Sequence, residues 1–386
     1  MRILISGAGI AGLSLALRLV QRGLTPILIE RSPTLRAGGY MLGLVDPGYD
    51  AAERMGIAEE LRLAQYAPRQ IVYVGPDGTE RWRLKGNALA TLVGNRQLSL
   101  MRGDIERILH DKVRDRAEIH FNSSIDAIAT STAGITATLT DGTMLDADLV
   151  VGADGLHSRT RSLCFGREEE FVRFLGARVA AFVLDSSGFP DIGPDETHSM
   201  TQVGRGAAIA TLRDGQLVAF FIFRTGQRRR FESVEEELRH AFHGAGWHVE
   251  RLLDSIPDAN SVYFDDVAQI VAPRWARGRA VLLGDAGFAV SLIAGGGASL
   301  AMAGGLVLAD ALADMPNDCA RALACYESRI RPFVAKAQKS AHKAAALFMP
   351  NTRFHLALRD IGLRLASSQL LAKTLRPLFS HDADRL

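Results

Sequence analysis

The sequence predicts an α/β protein: a parallel sheet of βαβ units, an inserted sheet of mostly antiparallel strands, and helices at the C-terminus. Three observations carry that expectation. The first 30 residues read as an apolar strand, a glycine turn, an apolar helix and a second strand. Two later stretches, 146–161 and 278–314, each place a buried strand before a turn and a helix. Between them, from about 177 to 264, strand-length runs are separated by turn residues.

A chain of 386 residues can form two domains, or one large domain with an insertion. The pattern divides it into a discontinuous first domain (1–70, 97–172 and 265–335), an inserted domain (71–96 and 173–264) and C-terminal helices over 336–386. At 47% hydrophobic and 23% charged residues the composition is ordinary for a globular protein. A net charge of +2 is too balanced to point to nucleic acid or an acidic membrane surface. Cys164, Cys319 and Cys325 show no metal or C-x-x-C spacing, so they read as buried apolar filler in a reducing compartment. The N-terminus is broken by glycines and has no cleavage signature, and nothing approaches the roughly 20 unbroken apolar residues of a membrane span. A cytoplasmic location follows as the expectation. Monomer and homodimer both stay open.

Arg2–Ser6 reads as a fully buried parallel strand, Ile10 to Gln21 as a helix stopped by Gly23, and Pro26 to Glu30 as the next strand. The turn between the first strand and the helix is GAGIAG, Gly7 to Gly12. In a unit of this order Gly7 permits the tight turn, Gly9 lets the backbone approach a pyrophosphate, and Gly12 lets the helix lie close on the sheet. The helix start, with Ile10 and Ala11, offers unpaired N–H groups to phosphate. Glu30, 18 residues beyond Gly12, is placed to accept from a ribose and disfavours a 2′-phosphate. These residues call for a dinucleotide, either NAD or FAD.

The later stretches narrow the choice. In the first, Ala147 to Gly152 is a strand, Ala153-Asp154-Gly155 a turn, and His157-Ser158 the opening of a helix that carries Arg161. In the second, GRAVLLGDAG ends its strand at Gly284-Asp285, and Gly295, Gly296 and Gly297, followed by Ala298, form a turn before a helix to about Asp314. Asp285 can hydrogen-bond a polyol hydroxyl. The glycine turn can aim N–H groups at the pyrimidine edge of a flavin and stabilise negative charge near N1. A nicotinamide needs no such second anchor, so FAD explains the layout better.

Together GAGIAG with Glu30-Arg31, GADGLHS with Arg161, and LLGDAG with its glycine turn resemble the three-motif signature of the single-component (group A) FAD-dependent aromatic hydroxylases. That family has the p-hydroxybenzoate hydroxylase fold, and the likeness covers residue 1 to about 335. The resemblance implies that Gly7, Gly9 and Gly12 hold the pyrophosphate and that Glu30 and Arg31 hold the adenosine end. It assigns a FAD contact to Arg102, the ribityl contact to Asp285, and the flavin ring to Gly295–Gly297. Asp154 and Gly155 belong to the motif linked to FAD and to transient NADPH or NADH. Gly39, in Gly38-Gly39-Tyr40-Met41, falls in a loop near the flavin. The stretch 246–270 and the run LAMAGGLVLADAL are similar to the branch that includes tetracycline-inactivating monooxygenases. The implied chemistry is hydroxylation of a small phenolic or polycyclic aromatic compound by NAD(P)H and O2 through a flavin C4a-hydroperoxide. The flavin carries that chemistry, so no catalytic side chain and no metal site is named. Two departures stand out: Phe288 after GDA-small, and Leu292 where the family has proline.

The inserted region offers weaker signals. Met200, Arg213, Phe221 and Phe223, with Phe182 and Leu292, are candidates for a substrate pocket, and core packing competes for each aromatic. Glu168-Glu169-Glu170 reads as solvated loop, and Arg228-Arg229-Arg230 as solvated loop or a dock for the phosphate of NADPH. From Arg331 the chain reads as helix, interrupted at Met349-Pro350-Asn351, with Lys336, Lys339 and Lys343 opposite Val334, Ala341, Ala345 and Leu347. A reductase or halogenase relative and a non-catalytic flavin-binding module are the competing functions. Trp82, Trp247 and Trp275 stand apart, against a halogenase W-x-W-x-I-P segment.

Overall fold

Strand Arg2–Ser6, helix Ile10–Gln21 and strand Thr25–Ile29 form at the start of the chain, and the two strands pair in parallel. The computed structural model describes residues 1–35, 39–86, 96–131, 134–225, 231–257 and 261–366, without the side chains of residues 294, 342–347 and 366. Gly38, Arg228–Arg230 and the side chains of Lys343, Ala345 and Leu347 therefore lie outside the described residues.

A six-stranded sheet runs in the order 276–277, 280–282, 149–152, 2–6, 25–29, 118–120. All its pairings are parallel except the first. Strands 280–282, 149–152 and 2–6 are neighbours, so the three motif turns leave the same edge of the sheet side by side. Ligands of open α/β sheets bind at such carboxyl edges. Helix Gly297–Asp314 lies against helix Ile10–Gln21, and a Cβ on Gly305 would stand 2.8 Å from the Leu15 nitrogen. Gly284 does the same work one turn earlier, since a Cβ there would meet the Ala11 Cβ at 2.8 Å. Helix 297–314 is apolar and long enough to cross a membrane, but 78% of it is buried inside the protein.

A seven-stranded sheet runs 263–270, 172–184, 217–224, 205–211, 196–202, 70–74, 80–85. Its pairings are antiparallel except between 196–202 and 70–74. Tyr263–Ile270 joins this sheet as an edge strand, beyond the boundary expected at 264. Helices Val234–Phe242 and Val249–Asp254 cover one face and close a core around Phe182, Phe221 and Phe242. The other face looks towards the parallel-sheet domain.

The C-terminal helix starts earlier than expected, running from Cys319 to Phe348, and Arg353–Ala366 follows after a break. The three cysteines are unpaired and half-buried rather than fully buried. Burial pushes the Cys164 thiol up to about 11. Glu168–Glu170 is not a free loop: it forms a 3-10 turn, with Glu168 bonded to His157 and Arg161.

Candidate functional site

The edge where the three motifs converge is hollow. Two cavities, of about 460 and 450 Å³, share Gly9, Tyr40, Arg102, Gly155, Tyr263 and Asp285 among their lining residues, so they form one elongated trough. The 450 Å³ end is lined by Gly7, Glu30, Arg31 and Ser123. The 460 Å³ end is lined by Leu292, Gly295–Gly297 and Ala298, and by residues of the seven-stranded sheet.

Each glycine of the first turn does a different job. Gly7 takes φ +107°, and a Cβ there would stand 2.4 Å from the Ala153 oxygen, so the first motif rests directly on the second. Gly12 closes the turn, since a Cβ would meet the Gly7 oxygen at 1.9 Å. Gly9 has φ −82° and caps helix 10–21 with no side-chain cap and no acid in the first turn. That helix start presents bare N–H groups and partial positive charge to the trough. Helix 297–314 likewise starts at Gly296 with neither a side-chain cap nor a first-turn acid. Two uncapped helix starts on one trough suit a ligand with an anionic middle and an electron-accepting ring.

The Ala8 and Ser32 N–H groups donate to the two oxygens of Glu30, each at 2.9 Å. The carboxylate is thus oriented at the trough floor with lone pairs to spare. Arg102 bonds Glu106 at 2.8 Å, and a Cβ on Gly39 would lie 3.4 Å from its Cβ. Burial opposes the Arg102 charge, but Glu106, Tyr40, Tyr263 and Asp285 outweigh it and hold its pKa above the ordinary value. Asp285 sits at the junction of the two cavities. Loss of bulk water raises its pKa, with Arg102 opposing and Asp265 adding to the rise.

Several expected contacts instead shape the site from behind. Arg161 is fully buried and lines neither cavity. Its Nη1 donates to the Ala286 oxygen at 2.9 Å and its Nη2 to the Leu156 oxygen at 2.8 Å, tying the second motif to the third. Asp154 does line the 450 Å³ cavity, and it also accepts from the Thr160 N–H at 2.8 Å, the Thr160 hydroxyl at 3.0 Å and the Ser158 hydroxyl, anchoring helix Arg159–Cys164. Gly12 and Gly284 act through packing.

The substrate candidates are corrected by register. Phe221, Phe223 and Met200 are buried in the core on the far face of the sheet, with Phe182. Arg213 lies at the surface, donates to the Gln65 oxygen at 2.6 Å and stacks on Tyr66. The face towards the trough carries residues of opposite alternation on the same and adjacent strands: Thr197, Ala208, Ala210, Val218 and Phe220. Successive strand residues point to opposite faces, so an error of one position moves the whole set. Leu292 does line the cavity.

Three further residues shape the site, of which only Tyr40, in the loop expected near the flavin, had a sequence reading. Tyr40 and Tyr263 form a ring pair with centroids 4.5 Å apart at the junction of the cavities. Burial raises both hydroxyl pKa values, so both stay protonated. Glu106 was within reach of the sequence, because it stands four residues after Arg102 on one helix face.

This trough, with two uncapped helix starts, Glu30 in one cavity and Asp285 at the junction, suits FAD. The FAD binding domain family matches residues 1–341, and the chain belongs to it. It is an FAD-dependent oxidoreductase of the flavin-dependent monooxygenase kind. A flavin-dependent monooxygenase from an unknown prokaryotic organism is 30% identical over 346 residues, covering 88% of this chain and 87% of that one. An uncharacterised protein of Mycobacterium tuberculosis is 31% identical over 341 residues, covering 87% and 91%. The crystal structure of the tetracycline destructase Tet(51) superposes with a TM-score of 0.83 at 26% identity, covering 99% of each chain. Klebsiella pneumoniae HpxO with FAD and uric acid shares the fold, with a TM-score of 0.73 at 23% identity over 98% of each chain.

Proposed function

We propose that this protein uses NADH or NADPH and O2 to hydroxylate a phenolic or polycyclic aromatic compound, with FAD held along the trough. The observation that carries the reading is the continuity of the two cavities. A polar groove along the three motifs opens into a chamber walled by alanine, valine, leucine and phenylalanine.

Bound FAD supplies the redox and oxygen-transfer chemistry. The chain's own residues bind, orient and exclude water. Gly9 and the start of helix 10–21 take the pyrophosphate, Glu30 and Arg31 the adenosine end, and Asp285 the polyol. The N–H groups around Gly295–Gly297 face the ring edge, where the helix start favours negative charge. Asp154 and Gly155 line the groove, and Arg161 holds the second and third motifs in register. Phe220, Val218, Ala208 and Ala210 form an apolar wall that orients a flat substrate and keeps water away. A tetracycline-type compound belongs among the substrates to test, given the likeness to Tet(51).

The test is direct. The purified protein is loaded with FAD, and NADH and NADPH oxidation is followed with and without a panel of phenols and tetracyclines. Products are identified by mass. Substrate-stimulated oxidation with a gain of one oxygen is the expected result. A yellow protein whose NAD(P)H use never responds to an aromatic would leave a flavin-binding module, and one that takes up no FAD would overturn the reading altogether.

A further inference from the structure

Ser291 carries two costs at one position in the wall of the ring-side cavity. Its backbone has φ +90° and ψ 137°. Four described non-glycine residues have positive φ, and the other three, Asn122, Asp195 and Trp247, lie between 49° and 57°, near the left-handed well. Ser291 lies outside that well, in a region glycine occupies far more readily than a residue with a Cβ. The second cost is chemical. Ser291 is 5% exposed, and its hydroxyl has no hydrogen-bond partner among the described residues. Buried polar atoms are nearly always paired, and an orphan calls for an explanation.

The surroundings make the position deliberate rather than loose. Gln338 donates to the Ala289 oxygen at 3.1 Å and Gln269 to the Val290 oxygen at 3.3 Å, so the chain is pinned just before Ser291. On the other side Leu292 and Ile293 pack under the seven-stranded sheet with Val179 and Ile222, and Gly295 and Gly296 lead into helix 297–314. Glycine at 291 would remove both costs while keeping the turn. A serine there makes sense if the hydroxyl has a partner when the cavity is filled.

We propose that Ser291 is a specificity-determining residue. A turn about its Cα–Cβ bond brings the hydroxyl to a carbonyl oxygen or ring N–H on the edge of the flat molecule bound in the ring-side cavity. This rests on the function proposed above. Two molecules can present that edge, the flavin's pyrimidine ring or the aromatic substrate, and the hydrogen-bonding chemistry is the same.

The experiment compares wild type with Ser291→Ala, which removes the hydroxyl, and Ser291→Gly, which removes hydroxyl and strain together. One arm titrates FAD into the flavin-free protein by flavin fluorescence. The other titrates the aromatic compounds of the panel into FAD-loaded protein by flavin absorbance. The expected result is a loss of about 3- to 10-fold in affinity in one arm for both variants, the size of one neutral hydrogen bond. A loss in the FAD arm assigns the edge to the flavin, and a loss in the second arm assigns it to the substrate. The flavin-free Ser291→Gly protein should also melt about 2 °C higher. Wild-type affinity in both arms overturns the inference. So does a lower melting temperature for flavin-free Ser291→Ala, which would show that the hydroxyl serves the fold. Wild-type protein that takes up neither molecule removes the proposed function as well, whereas wild-type uptake with unchanged variants removes this inference alone.

Discussion

The guanidinium of Arg102 lies over Gly9: a Cβ on that glycine would stand 3.3 Å from Nη2 of Arg102 and 3.4 Å from Oε1 of Glu106. Gly9 is therefore required for space and not for backbone freedom, since its φ of −82° is open to any residue. Gly7 is the reverse case, with φ +107°. The glycine turn thus combines one residue that makes the bend and one that leaves a gap between the helix start and an arginine.

That gap yields a prediction. Gly9→Ala should fold with nearly wild-type thermal stability, because the backbone is unstrained and the neighbouring arginine can shift by a few tenths of an ångström. FAD affinity should fall about tenfold, since the methyl occupies the approach to the helix N–H groups at an overpacking cost of about 1.4 kcal/mol. Fluorescence titration with FAD measures it. Unchanged affinity would show that the pyrophosphate does not pass over Gly9.

A second prediction concerns pH. His157, in the second motif, bonds Asp265 through Nε2 at 3.2 Å and Glu168 through Nδ1 at 3.0 Å. Asp265 belongs to the edge strand of the other sheet, so the imidazole straps the two sheets together. The bond to Asp265 raises its pKa against the opposing effect of burial, and Glu168 adds to the rise, from 6.5 to about 9. A folded pKa above the unfolded one means the strap's stabilisation is fully present below pH 6.5, fades as pH rises towards 9 and is lost above it. The side chain is 59% exposed, so solvent screening keeps the effect small. Melting curves from pH 6 to 10 should show wild type more stable than His157→Gln at the acid end, with the two curves meeting at the alkaline end. A constant offset across that range would count against the strap.

What the sequence made legible follows from sterics. The first strand, first helix and glycine-turn helix begin and end where their patterns place them, because tight turns and close helix contacts admit little but glycine. Asp285 and Glu30 were legible for a related reason, as acids at the ends of buried strands. The face of the inserted sheet was not. The run Ala219-Phe220-Phe221-Ile222-Phe223 is apolar at every position, because one face packs on helices and the other on the cavity and the loop at Leu292 and Ile293. With both faces covered, the alternation that normally marks the inner side is erased. Arg161 was found by its motif, yet only coordinates reveal that it faces carbonyl oxygens of its neighbours and not the trough. Tyr40 and Tyr263 are separated by more than 200 residues, and no local pattern links them.

The adjacent phenylalanines give the sharpest test of that register. Phe221 is fully buried, 5.9 Å from the Phe182 ring and edge-on to Phe242 at 5.0 Å. Phe221→Ala should cost about 3–5 kcal/mol of stability by leaving a cavity in the core. Phe220 is only half-buried, borders the 460 Å³ cavity and packs at the edge of a smaller cluster with Ile222 and Ile293. Phe220→Ala should cost less than half as much, yet weaken binding of a flat aromatic to the FAD-loaded protein by about 0.5–1.5 kcal/mol, or roughly 2- to 10-fold, through loss of ring contact. Denaturant midpoints and ligand titrations on the two variants separate these effects. If Phe221→Ala proves the mild substitution and Phe220→Ala the destabilising one, the sheet is turned over and its alanine face cannot border the substrate chamber.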